Sequence, residues 1–210
     1  MAASEGGIEA LWTILQELPP DFSVPILVVQ HLSATYPSVL DRVIQTRSTL
    51  PIKWAADGER LQGGTVYIAP PNRHLTIAAP GVVALTDTDR VNWVRPSADV
   101  LFRSLARQYG SKALAVVLTG NLYDGTAGSV AIKEAGGWVL AQDEQSCQRF
   151  DMPRSVIRRG AADFVLPLES LPCAILSLVM TFGATSLFRV PCRLIPPKID
   201  SIAGLRSLAD

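Results

Sequence analysis

The chain has 210 residues, of which 48% are apolar and 18% are charged, as is typical of a soluble globular domain. Nineteen basic residues balance nineteen acidic ones, so neither nucleic acid nor an anionic membrane surface is expected as a partner. The three cysteines and two histidines lack the spacing of a zinc site or a disulfide framework, so we expect no metal and no cofactor. Without a signal-peptide pattern at the N-terminus, the cytoplasm is the expected location.

The first half of the chain begins with alternating helix and strand patterns. Apolar residues at helical spacing predict a helix over residues 8–18, and the apolar run VPILVVQ at 24–30 predicts a strand buried on both faces. A helix over 36–47 follows. Strand-like segments separated by turn dipeptides then predict a small antiparallel hairpin insert, and they cover 52–55, 65–69, 75–78 and 82–85.

The alternation resumes in the second half, where helices and strands again follow one another. The predicted helices cover 97–109, 124–135 and 153–159, and the predicted strands cover 114–118, 138–141 and 164–166. This order predicts an α/β fold, namely a doubly wound, mainly parallel sheet with helices on both faces. Residues 170–188 carry no charge, but their polar residues favour a buried helix, so no membrane insertion is expected.

Three polar residues occur where predicted strands end or predicted helices begin. His31 directly follows one strand, Asp124 lies in the loop after another, and Ser4 precedes Gly6-Gly7 at the start of the first helix. Ligands collect at the carboxyl ends of parallel strands, so these side chains are expected on one rim of the sheet. A serine, an imidazole and a carboxylate together suit nucleophilic acyl transfer. Ser4 and Asp124 equally suit helix caps, and His31 suits a buried, hydrogen-bonded histidine.

Several sequence blocks stand in a defined order along the chain. They are ASEGG at 3–7, VVQHL at 28–32, YIAPP at 67–71 with His74, RPSADVLF at 95–102, LTG at 118–120 with Asp124-Gly125, AQDE at 141–144 and Met152-Pro153. From residue 2 to about residue 180, the chain resembles the catalytic domain of the CheB-type chemotaxis-receptor methylesterases. Because several independent blocks match in the right order, the resemblance does not rest on a single motif.

The resemblance implies a function and assigns roles to residues. It implies a protein-glutamate methylesterase, a carboxylic ester hydrolase that cleaves glutamyl methyl esters on a methyl-accepting chemotaxis receptor or similar signalling protein. Some family members also deamidate receptor glutamines. By this resemblance Ser4 is the nucleophile, His31 the general base and Asp124 the residue that orients it. The backbone N–H groups of Glu5 and Asn121 are the expected oxyanion donors.

The chain departs from the family pattern in two places. Met1-Ala2 stands where the family has a hydrophobic strand ending in glycine, so the first strand is expected to be missing and its neighbours to expose an edge. The loop TGNLYDG at 119–125 has Leu122 where the family has glycine, and strain is expected there. We therefore expect an N-terminally truncated catalytic domain over 1–184 and a tail over 185–210. These departures favour the alternative function, a catalytically impaired interaction module in a signalling system.

Overall fold

The computed structural model describes residues 1–32 and 38–181. Within these residues the strands are β1 Ala2–Ala3, β2 Ile26–Gln30, β3 Ile52–Trp54, β4 Val66–Ile68, β5 His74–Ala79, β6 Val82–Thr86, β7 Leu114–Val117, β8 Trp138–Gln142 and β9 Phe164–Leu166. The helices are α1 Gly7–Gln16, α2 Leu40–Gln45, α3 Ala98–Tyr109, α4 Thr126–Glu134, α5 Asp151–Arg158 and α6 Leu171–Thr181. The start of the helix predicted over 36–47 and the predicted tail over 185–210 lie outside the described residues.

Parallel strands form the main sheet, in the order β3-β4-β2-β1-β7-β8-β9. A separate antiparallel pair, β5 and β6, forms the hairpin. The predicted α/β fold is therefore confirmed. The extent of the insert was predicted wrongly, because β3 and β4 pair in parallel within the main sheet. Turn dipeptides with glycine are typical of hairpins, but they also occur in the connections between parallel strands.

The first strand is short but lies at the centre of the sheet. Ala2 pairs with Val29 on one side and Val117 on the other, and both residues of β1 are fully buried. The bonds continue past its end, where His31 N–H donates to Ala3 O at 3.0 Å. The predicted absence of the first strand, with an unpaired edge beside it, is therefore wrong. Two residues suffice because each bonds to a neighbouring strand.

The two faces of the sheet pack against different helices because side chains alternate in direction along each strand. Ala3 and Val28 point into the core that contains α1, α2 and α6. Ala2 and Val29 point into the second core, which contains α3, α5 and the hairpin. None of the described helices is long and apolar enough to cross a membrane. The sheet is thus covered on both sides, as predicted.

The strand order also places the functional site. From β1 the chain first moves to one side of the sheet, to β2, and later returns to the other side, to β7. Such a reversal leaves a crevice at the carboxyl end of the central strand, where ligands bind in open α/β sheets. The segments that follow β1, β2 and β7 begin with Ser4, His31 and the loop 118–125. The fold therefore brings these three segments to one rim.

Candidate active site

Ser4 lies in a tight turn between β1 and α1. Its N–H donates to Thr119 O at 3.0 Å, and its carbonyl accepts from Gly7 N–H at 2.9 Å and from the Gln30 side-chain amide at 2.7 Å. Gly6 has a φ of 78°, in the left-handed region that favours glycine. Two backbone hydrogen bonds and one from the Gln30 side chain therefore fix the position of Ser4 at the start of the helix.

His31 directly follows the neighbouring strand β2, as Ser4 follows β1, and is bonded to Asp124. The register pairs Ala3 with Gln30, so Ser4 and His31 are the next residues along the two strands. The Nε2 atom of His31 lies 2.9 Å from Oδ2 of Asp124. A carboxylate can only accept a hydrogen bond, so Nε2 carries the proton and Nδ1 of the neutral ring does not. None of the described residues bonds to Nδ1, and Ser4 Oγ forms no hydrogen bond with His31.

Asp124 is buried, and both of its carboxylate oxygens accept hydrogen bonds. In addition to His31, Oδ2 accepts from Ala98 N–H at 2.6 Å. Oδ1 accepts from Ser97 Oγ at 2.6 Å and from the Asn92 amide at 2.9 Å. Burial raises the pKa of Asp124, but the bonds from His31, Ser97 and Asn92 outweigh it and hold this pKa below its ordinary value. The carboxylate is therefore held ionised and also satisfies N–H groups at the start of α3.

The loop after β7 passes very close to Ser4. A Cβ atom on Gly120 would lie 2.7 Å from the Ser4 Cβ and 2.3 Å from the Met152 sulfur, so only glycine fits here. Leu122 has a φ of 67° and is exposed. The expected strain is therefore present, because this region of φ is unfavourable for a residue with a Cβ atom. No described residue accepts a hydrogen bond from the backbone N–H groups of Glu5 and Asn121.

Glu5 connects the Ser4 turn to this loop. One of its carboxylate oxygens accepts from the Asn121 side-chain amide at 2.6 Å, and the other accepts from Arg149 Nε at 3.1 Å. These bonds, that of Asn121 first, lower the pKa of Glu5. Asn121, in the loop after β7, thus contacts the residue that follows Ser4. The Arg149 guanidinium offsets the negative charge that Glu5 brings to this part of the site.

The other histidine and a nearby cysteine have structural surroundings. His74 is completely buried, its Nδ1 accepts from Ser97 N–H at 3.1 Å, and its Nε2 lies 3.1 Å from Asp89 O. Both ring nitrogens are thus used within the fold. Burial raises the pKa of Cys147 to about 12, which disfavours the thiolate that a nucleophile needs. No cluster in residues 1–32 and 38–181 combines three or more His, Cys, Asp or Glu side chains for a metal ion.

Sequence reasoning missed two residues that bond directly to Asp124. Ser97 and Asn92 donate side-chain hydrogen bonds to it, although Ser97 stands within a sequence block that supports the family resemblance. The position of Ser97 at the start of a predicted helix is the only sequence signal for its role. Asn92 lies outside any recognised motif, in an irregular loop. Its contact with Asp124 depends on the path of that loop, which periodicity does not predict.

Two clefts border the exposed Tyr123 side chain. A cleft of about 540 Å³ includes Asn121, Arg154 and Arg158 in its lining. A second cleft of about 510 Å³, on the other side of Tyr123, includes Arg103 and Arg159. Arg154 pairs with Asp151 on the same helix. The surroundings of the site are therefore rich in arginine.

Comparison with known proteins identifies relatives of this chain. The CheB methylesterase family profile matches residues 1–175. A protein-glutamate methylesterase/protein-glutamine glutaminase of Myxococcus xanthus is 45% identical over 171 residues, covering 81% of this chain and 48% of that protein. One of Anaeromyxobacter dehalogenans is 43% identical over 178 residues, covering 85% and 52%. The chain thus spans about half the length of these curated relatives.

A solved structure gives the same result at the level of the fold. The crystal structure of the Thermotoga maritima CheB methylesterase catalytic domain matches with a TM-score of 0.81 and 41% identity, covering 85% of this chain and 96% of that one. The homologues bear the names of carboxylic ester hydrolases. The chain belongs to the CheB methylesterase family, and the resemblance predicted from the sequence blocks is confirmed.

Proposed function

We propose that this chain is a protein-glutamate methylesterase and that residues 1–184 form its catalytic domain. It hydrolyses glutamyl methyl esters, and also deamidates glutamines, on a methyl-accepting chemotaxis receptor or similar signalling protein in the cytoplasm. The observation that carries this proposal is the bond of 2.9 Å between His31 Nε2 and the buried Asp124, next to Ser4. Because Nε2 carries the proton in this bond, Nδ1 is the basic nitrogen of His31, a residue that directly follows the strand next to β1.

In the proposed reaction Ser4 Oγ attacks the ester carbonyl while His31 Nδ1 accepts its proton. The ionised Asp124 stabilises the imidazolium that forms. Collapse of the tetrahedral intermediate breaks the bond to the methoxy oxygen, and His31 returns the proton, so methanol leaves. A water molecule, deprotonated by His31, then attacks the acyl-enzyme carbonyl. The bond to Ser4 Oγ breaks, His31 returns the proton to Ser4, and the receptor leaves with a glutamate side chain. The structure has no hydrogen bond between Ser4 Oγ and His31. In the proposed mechanism this bond forms when substrate binds, because catalytic hydrogen bonds often tighten only in the complex.

The oxyanion of the intermediate would be held by backbone N–H groups. The Glu5 N–H belongs to the residue after Ser4, and the Asn121 N–H belongs to the loop that passes close to Ser4. Neither N–H group donates to an acceptor among the described residues. Donors that are already in place stabilise a developing charge without reorganisation. Ser4 also stands just before α1, whose N-terminal dipole favours negative charge.

The arginines beside the Asp124 loop fit a partner of this chemistry. Hydrolysis and deamidation both leave glutamate, so a segment that carries several such sites gains negative charge as the reaction proceeds. Arg158 and Arg159 are exposed on α5 and just after it, and they line the two clefts next to Tyr123. Their guanidinium groups would attract the carboxylates of such a segment.

The second candidate function is a catalytically impaired interaction module. The left-handed conformation of Leu122 favours it, because strain next to Asn121 can shift the oxyanion donor. Such a module would bind the signalling protein without releasing methanol. Because the two candidates share a fold, only a measurement of turnover separates them.

The experiment measures methanol released from a methylated receptor for the wild type, Ser4→Ala and His31→Ala. We expect turnover by the wild type and its loss in both variants. Ser111→Ala is the matched control, because Ser111 is exposed and lies just before β7, at the opposite end of that strand from the site. Turnover that survives in Ser4→Ala would exclude the proposed nucleophile. A folded wild type that binds the receptor but releases no methanol would favour the interaction module.

A further inference from the structure

A single amide nitrogen bridges two buried carboxylates next to the site. The Asn92 Nδ2 atom lies 2.9 Å from Asp124 Oδ1 and 2.7 Å from Asp99 Oδ2. An amide NH2 group has two hydrogens, so each carboxylate receives one of them. The other Asp99 oxygen accepts from Gly128 N–H of α4 at 2.6 Å. A continuous chain of hydrogen bonds therefore runs from His31 through Asp124 and Asn92 to the backbone of α4.

Asn92 separates two groups that would otherwise repel each other. Asp99 and Asp124 are both buried, and like charges in a poorly hydrated environment interact strongly. Burial raises the pKa of Asp99, and the charge of Asp124 raises it further. Removal of the Asn92 amide would leave both carboxylates without the donor between them. The Asp124 side chain can relieve this repulsion by rotating, which also moves the oxygen that His31 contacts.

The backbone at Asn92 is suited to this role. It has a φ of 53°, a conformation that asparagine adopts more readily than most residues. Reciprocal backbone hydrogen bonds between Val91 and Val94, of 3.2 and 3.1 Å, close the turn that holds it. The amide is therefore presented from a closed turn.

We propose that Asn92 is a positioning residue that acts through Asp124 and holds its carboxylate in the orientation that keeps His31 in the Nε2–H tautomer. The catalytic consequence rests on the proposed function, whereas the structural consequence does not. Asn92 contacts neither Ser4 nor the place of the substrate carbonyl. Its effect should therefore appear in the catalytic step and in the state of the His31 ring, with substrate binding unchanged.

The test uses the chain labelled with ¹⁵N at histidine only. His31 and His74 are the only histidines in the sequence, so the ring nitrogens of each give a readable spectrum. In the wild type, at a pH where both rings are neutral, we expect a single Nε2–H tautomer for His31. His74 has the same expected tautomer, set by Asp89 O and Ser97 N–H, and reports whether the fold is intact.

Two variants remove the bridge in different ways. Asn92→Gly removes the amide and keeps the left-handed backbone, whereas Asn92→Asp keeps the shape and replaces the donor with a third carboxylate. We expect Asn92→Gly to give a mixture of His31 tautomers and Asn92→Asp to change the His31 signals more strongly. The His74 signals should be unchanged in both variants. Asn72→Gly is the matched control, because Asn72 has a φ of 60° and its side chain bonds to Arg95. The control should leave the His31 spectrum unchanged.

Kinetic measurements complete the test. For Asn92→Gly we expect kcat to fall by about 10- to 100-fold with KM within twofold of the wild type, because a misplaced base slows the chemical step. Asn92→Gly with the wild-type His31 spectrum would overturn the proposal, and so would a wild-type His31 without a single tautomer. If the wild type proves inactive on esters, the spectra alone still decide the role of Asn92, so the two proposals fail separately.

Discussion

The two sides of Ser4 are built differently. On one side, His31, Asp124 and the start of α3 form a largely buried network in which five donors surround one carboxylate. On the other side, Glu5 and Asn121 contact each other near the surface, next to the strained Leu122. Water can replace a lost partner at the surface but not in the interior. The buried side should therefore tolerate little change, and the exposed side should tolerate more.

The largest effect is expected for Asp124→Asn on the buried side. All five partners of this carboxylate are donors. Whichever of the two oxygens the amide NH2 group replaced, it would therefore face an N–H or O–H group. His31 would lose the acceptor that sets its tautomer, and we expect kcat to fall by about 10⁴-fold. Methanol release measures this loss. Asp87→Asn serves as the control, and an Asp124→Asn variant within tenfold of the wild type would contradict the buried-network interpretation.

The same carboxylate should make stability depend on pH. The folded-state pKa of Asp124 is lowered, so its contribution to the free energy of unfolding is complete above the unfolded pKa of about 3.9 and disappears as the pH falls through the folded value. We expect the wild type to exceed Asp124→Asn in this free energy at pH 7, and the difference to shrink below about pH 4. Urea unfolding at several pH values measures it. If the difference in free energy of unfolding between the wild type and Asp124→Asn grew at low pH, the folded-state pKa of Asp124 would not be lowered.

A smaller effect, of the opposite sign, is expected for Leu122→Gly on the exposed side. Leu122 adopts the left-handed conformation at a cost of about 1 kcal/mol, which glycine avoids. We expect the variant to unfold at higher urea concentration and to keep or increase its turnover. Tyr123→Gly is the control, because Tyr123 is the next residue and is not left-handed, so glycine there should destabilise. Equal destabilisation in both variants would show that Leu122 is not strained.

The smallest effect is expected from the contact between Glu5 and Asn121. This contact is exposed to solvent, where polar contacts contribute little, so Glu5→Gln and Asn121→Ala should each lower kcat only about two- to fivefold. A double-mutant cycle on kcat/KM tests whether the pair acts as a unit that holds the proposed oxyanion donors. Additive effects would mean that the side chains act independently and that the backbone alone positions these donors.

Much of the fold could be predicted from the sequence because its signals are local. The apolar runs at β2 and β7 and the helical spacing in α3 depend only on neighbouring residues, and the structure has these elements near the predicted bounds. The pairing of β3 and β4 was not predictable in this way, since a strand of three residues carries no mark of its partner. The two-residue β1 fell below any periodicity threshold and is defined only by its hydrogen bonds.

The candidate site was predictable where residues follow strands and unpredictable where loops fold back. Ser4 and His31 each directly follow a strand, so the topology alone brings them together. Asn92 reaches Asp124 from 32 positions away along the chain, through a left-handed turn. Arg95 illustrates the same limit: it bonds to the Asn72 side chain and to two backbone carbonyls in its own loop. Contacts of this kind depend on the path of irregular backbone.

The different bonding of the two imidazoles has a practical consequence for chemical labelling. His74 is enclosed, and both of its nitrogens are engaged within the fold, whereas His31 is partly exposed and its unprotonated nitrogen is unused by the described residues. An acylating reagent that attacks neutral imidazole should therefore modify the folded chain at His31 and spare His74. A covalent adduct at His31 without one at His74, located by peptide mass spectrometry, would thus mark the molecules of a preparation in which this part of the fold is intact.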